Sequence, residues 1–184
     1  MKTSIAGLFL IAVVAYPAMG DSLDDTASSL VQRFGSQLKP ALLQAMSAGG
    51  PTQAIPVCAE KAPAISRALS EESGWHITRV SLKARNPNAV PDTFERQVLE
   101  DFRQRRQAGE TPGQLKYSES VDGQFRYMQA QLTEGICLTC HGTEIEPGVK
   151  DMISAKYPND QATGFLLGDV RGAISLTLPL TSDD

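Results

Sequence analysis

Beyond residue 20 no stretch approaches the run of about eighteen apolar residues that a membrane-spanning helix requires, so the body of the chain is not expected to cross a bilayer. Positive charge is not in excess either. Lys and Arg number 17 against 21 Asp and Glu, the net charge is −4, and the basic residues are scattered rather than gathered into a stripe, which leaves nucleic acid little to bind. Histidine is limited to His76 and His141, and cysteine to Cys58, Cys137 and Cys140. Three thiols leave one over under any pairing, so a disulfide framework that uses every cysteine is excluded. Internal repeats and low-complexity linkers are absent, which favours one domain with one core.

What is present begins with a leader. Lys2 supplies a small positive start, Ile5 to Ala15 form an apolar run of signal-peptide length, and Ala18-Met19-Gly20 offers small residues to a peptidase. Residues 1–20 therefore read as a signal peptide cleaved near Gly20, before Asp21. Residues 21–184 then form a single exported domain, periplasmic in setting. No cysteine adjoins the cleavage point, which argues against a lipid anchor.

Hydrophobic spacing outlines the elements. Leu23, Ala27, Leu30, Phe34, Leu38 and Leu42 recur every three or four residues, predicting a helix that Asp21 or Ser22 caps, Pro40 kinks or restarts, and Gly49-Gly50 ends. A second, irregular helix is expected from about Thr52 to Glu72, disturbed by Pro56 and Pro63. Cys58, Ala62, Ile65 and Leu69 share its apolar face, which directs the Cys58 thiol inward. Trp75 to Lys83 reads as a strand, and the Asn- and Pro-rich segment after it reads as a loop. Asp92 and Glu95 make a capping box for a third helix that buries Phe94, Val98, Leu99 and Phe102. Asp122-Gly123 joins two β-prone runs into a hairpin. A short helix around Gly148 to Lys156 and a last strand from Arg171 to Leu180 complete the chain. Helices first, then strands without βαβ alternation, predict an α+β fold with an antiparallel sheet.

The chemistry is concentrated in GICLTCHGTE, residues 135 to 144. Two thiols three residues apart, followed at once by an imidazole, have the spacing that covalent haem attachment needs. Cys137 and Cys140 reach the two vinyl groups on one porphyrin edge, and His141 meets the iron from one side. Attachment of this kind takes place after export in bacteria, so leader and motif agree. Three alternatives use the same residues. A zinc site needs about four ligands and would have to recruit the isolated Cys58 and His76. A thioredoxin-like redox pair belongs at a helix start early in a βαβ unit. A Cys137–Cys140 disulfide would close a small strained loop that stabilises little. A haem-free thiol or zinc module thus remains a reading from a different class.

Three further stretches, RVSLKARNPNAVPDTFE, GQFRYMQAQLTEGICLTCHG and YPNDQATGFLLGDVRGAISLTLPL, carry a resemblance. The chain resembles a family of exported single-haem c-type proteins with a PAS-like fold, a domain also found as the extracytoplasmic sensor of bacterial signalling proteins. The resemblance extends from the helix near Leu38 through Cys58 to Leu180. It implies one haem c per chain, buried between a small antiparallel sheet and the helices, with His141 as the proximal iron ligand and Cys58 as the distal one. It also implies redox or small-ligand sensing, with a diatomic gas as one candidate ligand. The sequence ends at Asp184 with no appended transmitter, so signalling would pass through a separate redox or signalling partner.

Within that frame a Cys58 thiolate would lower the iron potential relative to a histidine or methionine partner. His76, Met46, Met128 and Met152 are rival ligands, although methionines at helix or strand spacing belong by default to the core. Arg79, Lys83, Arg85, Arg126, Tyr127 and Arg171 are candidate donors to the haem propionates, with Arg85 and Arg171 the favoured pair. Phe125, Tyr127, Phe165 and Ile174 either line the porphyrin or fill the core. With both axial positions filled, no coordination site stays open for a substrate, so no enzymatic activity is expected. Electron transfer in the periplasm is the alternative to sensing.

Overall fold

Residues 22–180 are described by the computed structural model, so the expected leader and its cleavage point lie outside the described residues. Helix α1, Leu23–Gly49, opens with the Ser22 hydroxyl accepting the Asp25 N–H and with Asp24 and Asp25 in the first turn, where a helix dipole favours negative charge. It is wound as one helix through Pro40, without the expected restart. Pro40 and Ser36 both face solvent, so the Ser36 carbonyl, which loses its N–H partner to the proline, can be hydrated instead.

The second helical region is more divided than its spacing suggests. It consists of α2, Pro51–Pro56, a π-helical turn, Val57–Lys61, and α3, Ala62–Ser73. Pro63 has no N–H to give to the Ala59 carbonyl, and just before it the register widens by one residue. The Ala62 N–H bonds to the Val57 carbonyl instead of to that of Cys58. Gly74 ends α3 in the left-handed region at φ 76°.

Strand β1, His76–Val80, is shorter than the β-prone run that contains it. Helix α4, Thr93–Gln107, starts with the expected capping box: Asp92 accepts the Glu95 N–H and Glu95 accepts the Asp92 N–H. Strands β2, Lys116–Val121, and β3, Gln124–Leu132, form the expected hairpin. Asp122 and Gly123 both take positive φ, 52° and 70°, as a two-residue turn of this hand requires. Helix α5, Gly135–His141, contains the CxxCH motif, in a stretch where hydrophobic spacing predicts no element. Helix α6, Pro147–Lys156, and strand β4, Val170–Pro179, follow.

The four strands form one antiparallel sheet in the order β1-β4-β3-β2, so the last strand is central and pairs with both the first and the third. The expected α+β, PAS-like architecture is thus what the chain adopts. Alternation along the strands splits the core. On one face Ile77, Phe125, Tyr127, Ile174 and Leu176 pack against Ala27, Leu30 and Phe34 of α1 and Ala62, Ile65 and Leu69 of α3. On the other, Val80, Met128 and Ala173 pack against Val98, Leu99 and Phe102 of α4. A third cluster, Ile55, Val149 and Ile153, joins α2 to α6 beside Cys140. No helix among the described residues is long and apolar enough to cross a membrane.

Candidate functional site

A cavity of about 480 Å³ opens between β1, β4, α3 and the CxxCH helix, within the size range of small-molecule and cofactor sites. Its wall is mostly apolar, and Cys58, His141, Arg79, Arg85 and Arg171 all line it. The space reflects three local features. A β-bulge between Gln131 and Leu132 interrupts the β3–β4 register at this end of the sheet. Gly172 contributes no side chain there, and a Cβ at that position would run into the Val80 carbonyl oxygen. The π turn sets Cys58 one residue out of α-helical register against the buried stripe of α3.

His141 is the last residue of α5 and only 8% exposed. Its Nδ1 lies 2.7 Å from the Ala162 carbonyl oxygen. A carbonyl only accepts, so Nδ1 carries the proton and donates it, which leaves the Nε2 lone pair for an electrophile. Burial, then the nearby guanidinium charges of Arg171 and Arg85, push its pKa down to about 2, so the ring is neutral at any ordinary pH. An imidazole pinned through one nitrogen to a carbonyl, with the other free, is the form in which histidine binds a metal. Burial also pushes the Cys140 thiol up from its ordinary value.

A network absent from the motif itself holds it in place. Arg85 Nη2 donates to the Cys140 carbonyl at 2.6 Å and to the Ala162 carbonyl at 3.2 Å. The same guanidinium makes a forked pair with Asp160, 3.0 Å from each nitrogen to its oxygen, and the two side chains are only 12% and 11% exposed. Asp160 also accepts the Ala162 N–H at 2.9 Å. Asp160, Arg85, Ala162 and His141 are thus one chain of contacts. The segment after it clamps α5 through Gly164 N–H to the Gly142 carbonyl and Phe165 N–H to the His141 carbonyl. Phe165 meets the imidazole edge-on, ring centres 6.3 Å apart, and Lys83 sits over its ring.

The other candidates are placed as follows. Cys58 and His141 line one cavity, and Cys137 and Cys140 lie on α5 beside it. All three cysteines are free. Among the described residues no three His, Cys, Asp or Glu side chains gather to hold a metal ion, so a protein-only zinc cage has no ligand set. His76 reaches the cavity from the exposed first position of β1. Met128 is buried on the opposite face of the sheet, and Met152 packs beside Ile153. Phe125, Tyr127 and Ile174 belong to the core over α1. Arg126 pairs with Asp92 and Glu95. Arg79 and Arg171 face the cavity, and the buried Arg171 Nε has no hydrogen-bond partner.

Residue spacing singles out neither Asp160 nor Gln131. Asp160 reads locally as a turn residue in a Pro-Asn-Asp segment, and its partner lies 75 residues away. No sequence signal announces such a pair.

Comparison with known proteins agrees with this architecture. The family model described as Tll0287-like, Tll0287, matches residues 17–179. Among solved structures, the crystal structure of the cyanobacterial heme-protein Tll0287 is similar, with a TM-score of 0.68 and 22% identity over 85% of this chain and 94% of that one. At that identity the likeness speaks for the fold. No curated protein matches the chain.

Proposed function

The chain belongs to the Tll0287-like family, and from that membership and the cavity we propose that it is an exported periplasmic c-type haem protein that senses redox state or a small gaseous ligand. Cys137 and Cys140 would carry one haem covalently, and His141 and Cys58 would be its iron ligands. The observation that carries this reading is the pinned His141, whose Nε2 is free in the cavity that Cys58 also lines. The orphaned Arg171 Nε and the apolar wall fit the same group, which is flat, apolar and acidic at one edge. A solved structure of similar fold is that of a heme-protein, which supports the assignment.

Haem held there would supply a one-electron couple and a binding site for a diatomic gas. The chain's own residues do the rest. The Ala162 carbonyl holds the His141 tautomer and ring orientation. The mostly apolar cavity wall offers water few partners. Cys58 sits in a turn wound one residue wider than an α-helix, so a change of register there swings its thiol relative to the cavity. This turn is the two-state element through which the haem state would reach the α3 surface and a separate partner protein. This reading assigns the protein no enzymatic activity.

The test is an absorption spectrum of periplasmically matured protein and of Cys58→Ala, each ferric, reduced, and reduced with carbon monoxide. Covalent haem with low-spin thiolate bands that C58A abolishes is the expected result. Protein without covalent haem from a host with working maturation machinery would overturn it. An electron carrier keeps both ligands through the cycle and shows no change in hydrogen exchange at residues 57–61 between oxidation states, whereas the sensor reading requires one.

A further inference from the structure

Two half-buried cations that line the cavity lack a counter-charge; Arg67 and Lys83 on the same wall are exposed. Arg79, on β1, points into the interior, and its one hydrogen bond runs from Nε to the neutral Gln131 Oε1 at 3.2 Å. Arg171, at the bulged end of β4, has a buried Nε with no partner at all. Among the described residues neither makes an ion pair. The two are close enough that burial and the charge of Arg171 together hold Arg79 down to about 10.

Three other half-buried arginines contrast with this, while Arg106 meets only backbone carbonyls. Arg85 has Asp160, Arg105 has Asp101 and Glu110, and Arg126 has Asp92 and Glu95. Arg126 also carries an unpartnered Nε, but a carboxylate already meets its charge. Burying one charge without a partner is costly, and burying two of like sign side by side is more so. A fold that retains them favours an anion in the cavity, and two guanidinium groups match two carboxylates. A single monoanion would leave one unanswered.

We propose that Arg79 and Arg171 form a dicarboxylate cradle that takes both haem propionates, with Gln131 fixing the Arg79 side chain, and that Arg85 has no part in it. This rests on the haem reading and adds to it the acidic edge of the cofactor and a control of its potential. Arg85 is excluded because its guanidinium is already spread over Asp160 and the carbonyls of Cys140 and Ala162. The cradle acts against the thiolate. A Cys58 thiolate would lower the iron potential, and two fixed cations on the mostly apolar wall would favour the reduced, less positive iron and raise it.

The experiment uses haem-loaded protein: wild type, Arg79→Gln, Arg171→Gln, the charge-keeping R79K and R171K, and Arg103→Gln on the outer surface of α4 as a control. Midpoint potential is measured by redox titration, and the propionate bending bands by resonance Raman scattering. Each glutamine variant is expected to lower the potential and shift a propionate band. The lysine variants keep most of the potential, and R103Q leaves both readings unchanged. If R79Q yields no folded protein, R171Q and the two lysine variants decide on the same readings. Two results overturn the cradle: glutamine variants that retain covalent haem with wild-type potential and bands, or a wild-type potential that moves with added phosphate at constant ionic strength, which would assign the site to a free anion. A wild-type chain without the mass of covalent haem removes the haem reading and the cradle with it, an outcome distinct from unchanged potentials.

Discussion

Asp160→Ala tests whether the network behind the CxxCH helix is what orients His141. The substitution removes three acceptor contacts, two from Arg85 and one from the Ala162 N–H, and leaves the Arg85 guanidinium enclosed without a counter-charge. Breaking a buried pair by deleting one partner costs about 3–5 kcal/mol. Against a total stability of about 5–15 kcal/mol for a domain, that is a large fraction. At about 2–4 °C per kcal/mol for a chain of this size, the melting temperature should fall by about 6–20 °C. The Ala162 carbonyl loses its anchor as well, so the His141 tautomer loosens and the Soret and visible bands of the haem-loaded protein should broaden or shift. Urea denaturation followed by both far-ultraviolet circular dichroism and haem absorbance measures the two effects on one sample. Asp160→Leu combined with Arg85→Leu removes both charges and should be less destabilised than D160A alone, because no unpaired ion remains. A D160A cost under about 1 kcal/mol with unchanged bands would refute the network argument, since a solvated pair behaves that way.

Three further outcomes follow from the geometry. Pro40→Ala restores an N–H to an exposed, unbroken turn of α1 and should raise stability by about 1–3 kcal/mol, measured by urea denaturation; a loss would mean that the proline is needed where it stands. Phe102→Ala empties a fully buried site on the α4 face and should cost about 3–5 kcal/mol while leaving the haem bands alone, because the sheet lies between it and the cavity; altered bands would contradict that separation. Gly142→Ala would push a Cβ to 2.6 Å from the Leu138 carbonyl oxygen, backbone that cannot yield easily. It should destabilise the protein by about 1–3 kcal/mol and lower the yield of covalent haem by mass spectrometry, and wild-type yield and stability together would show that α5 is more pliable than its contacts imply.

Much of this protein was legible along the chain because the relevant physics is local. The Asp92–Glu95 capping box, the Asp122-Gly123 turn with its two positive φ angles, and the three- and four-residue spacing of α1 and α3 each depend on residues a few positions apart. The CxxCH spacing belongs to the same class, since two thiols and an imidazole on one short turn converge whatever surrounds them. Pro40 and Pro63 were legible only as disturbances. Whether a proline breaks a helix, leaves it whole or widens it by one residue depends on which side faces solvent, and that is settled by packing.

What tertiary structure decided is what meets what across long separations. Strand order put β4 between β1 and β3, which brought Arg79 and Arg171 onto neighbouring strands at one end of the sheet. The closed fold also brought Arg85 to Asp160, 75 residues away, and so gave its charge a partner that the sequence does not announce. Composition and spacing specify which chemistry a chain carries. Only the closed fold, by burying some charges with partners and others without, determines which of those groups is still available to bind something.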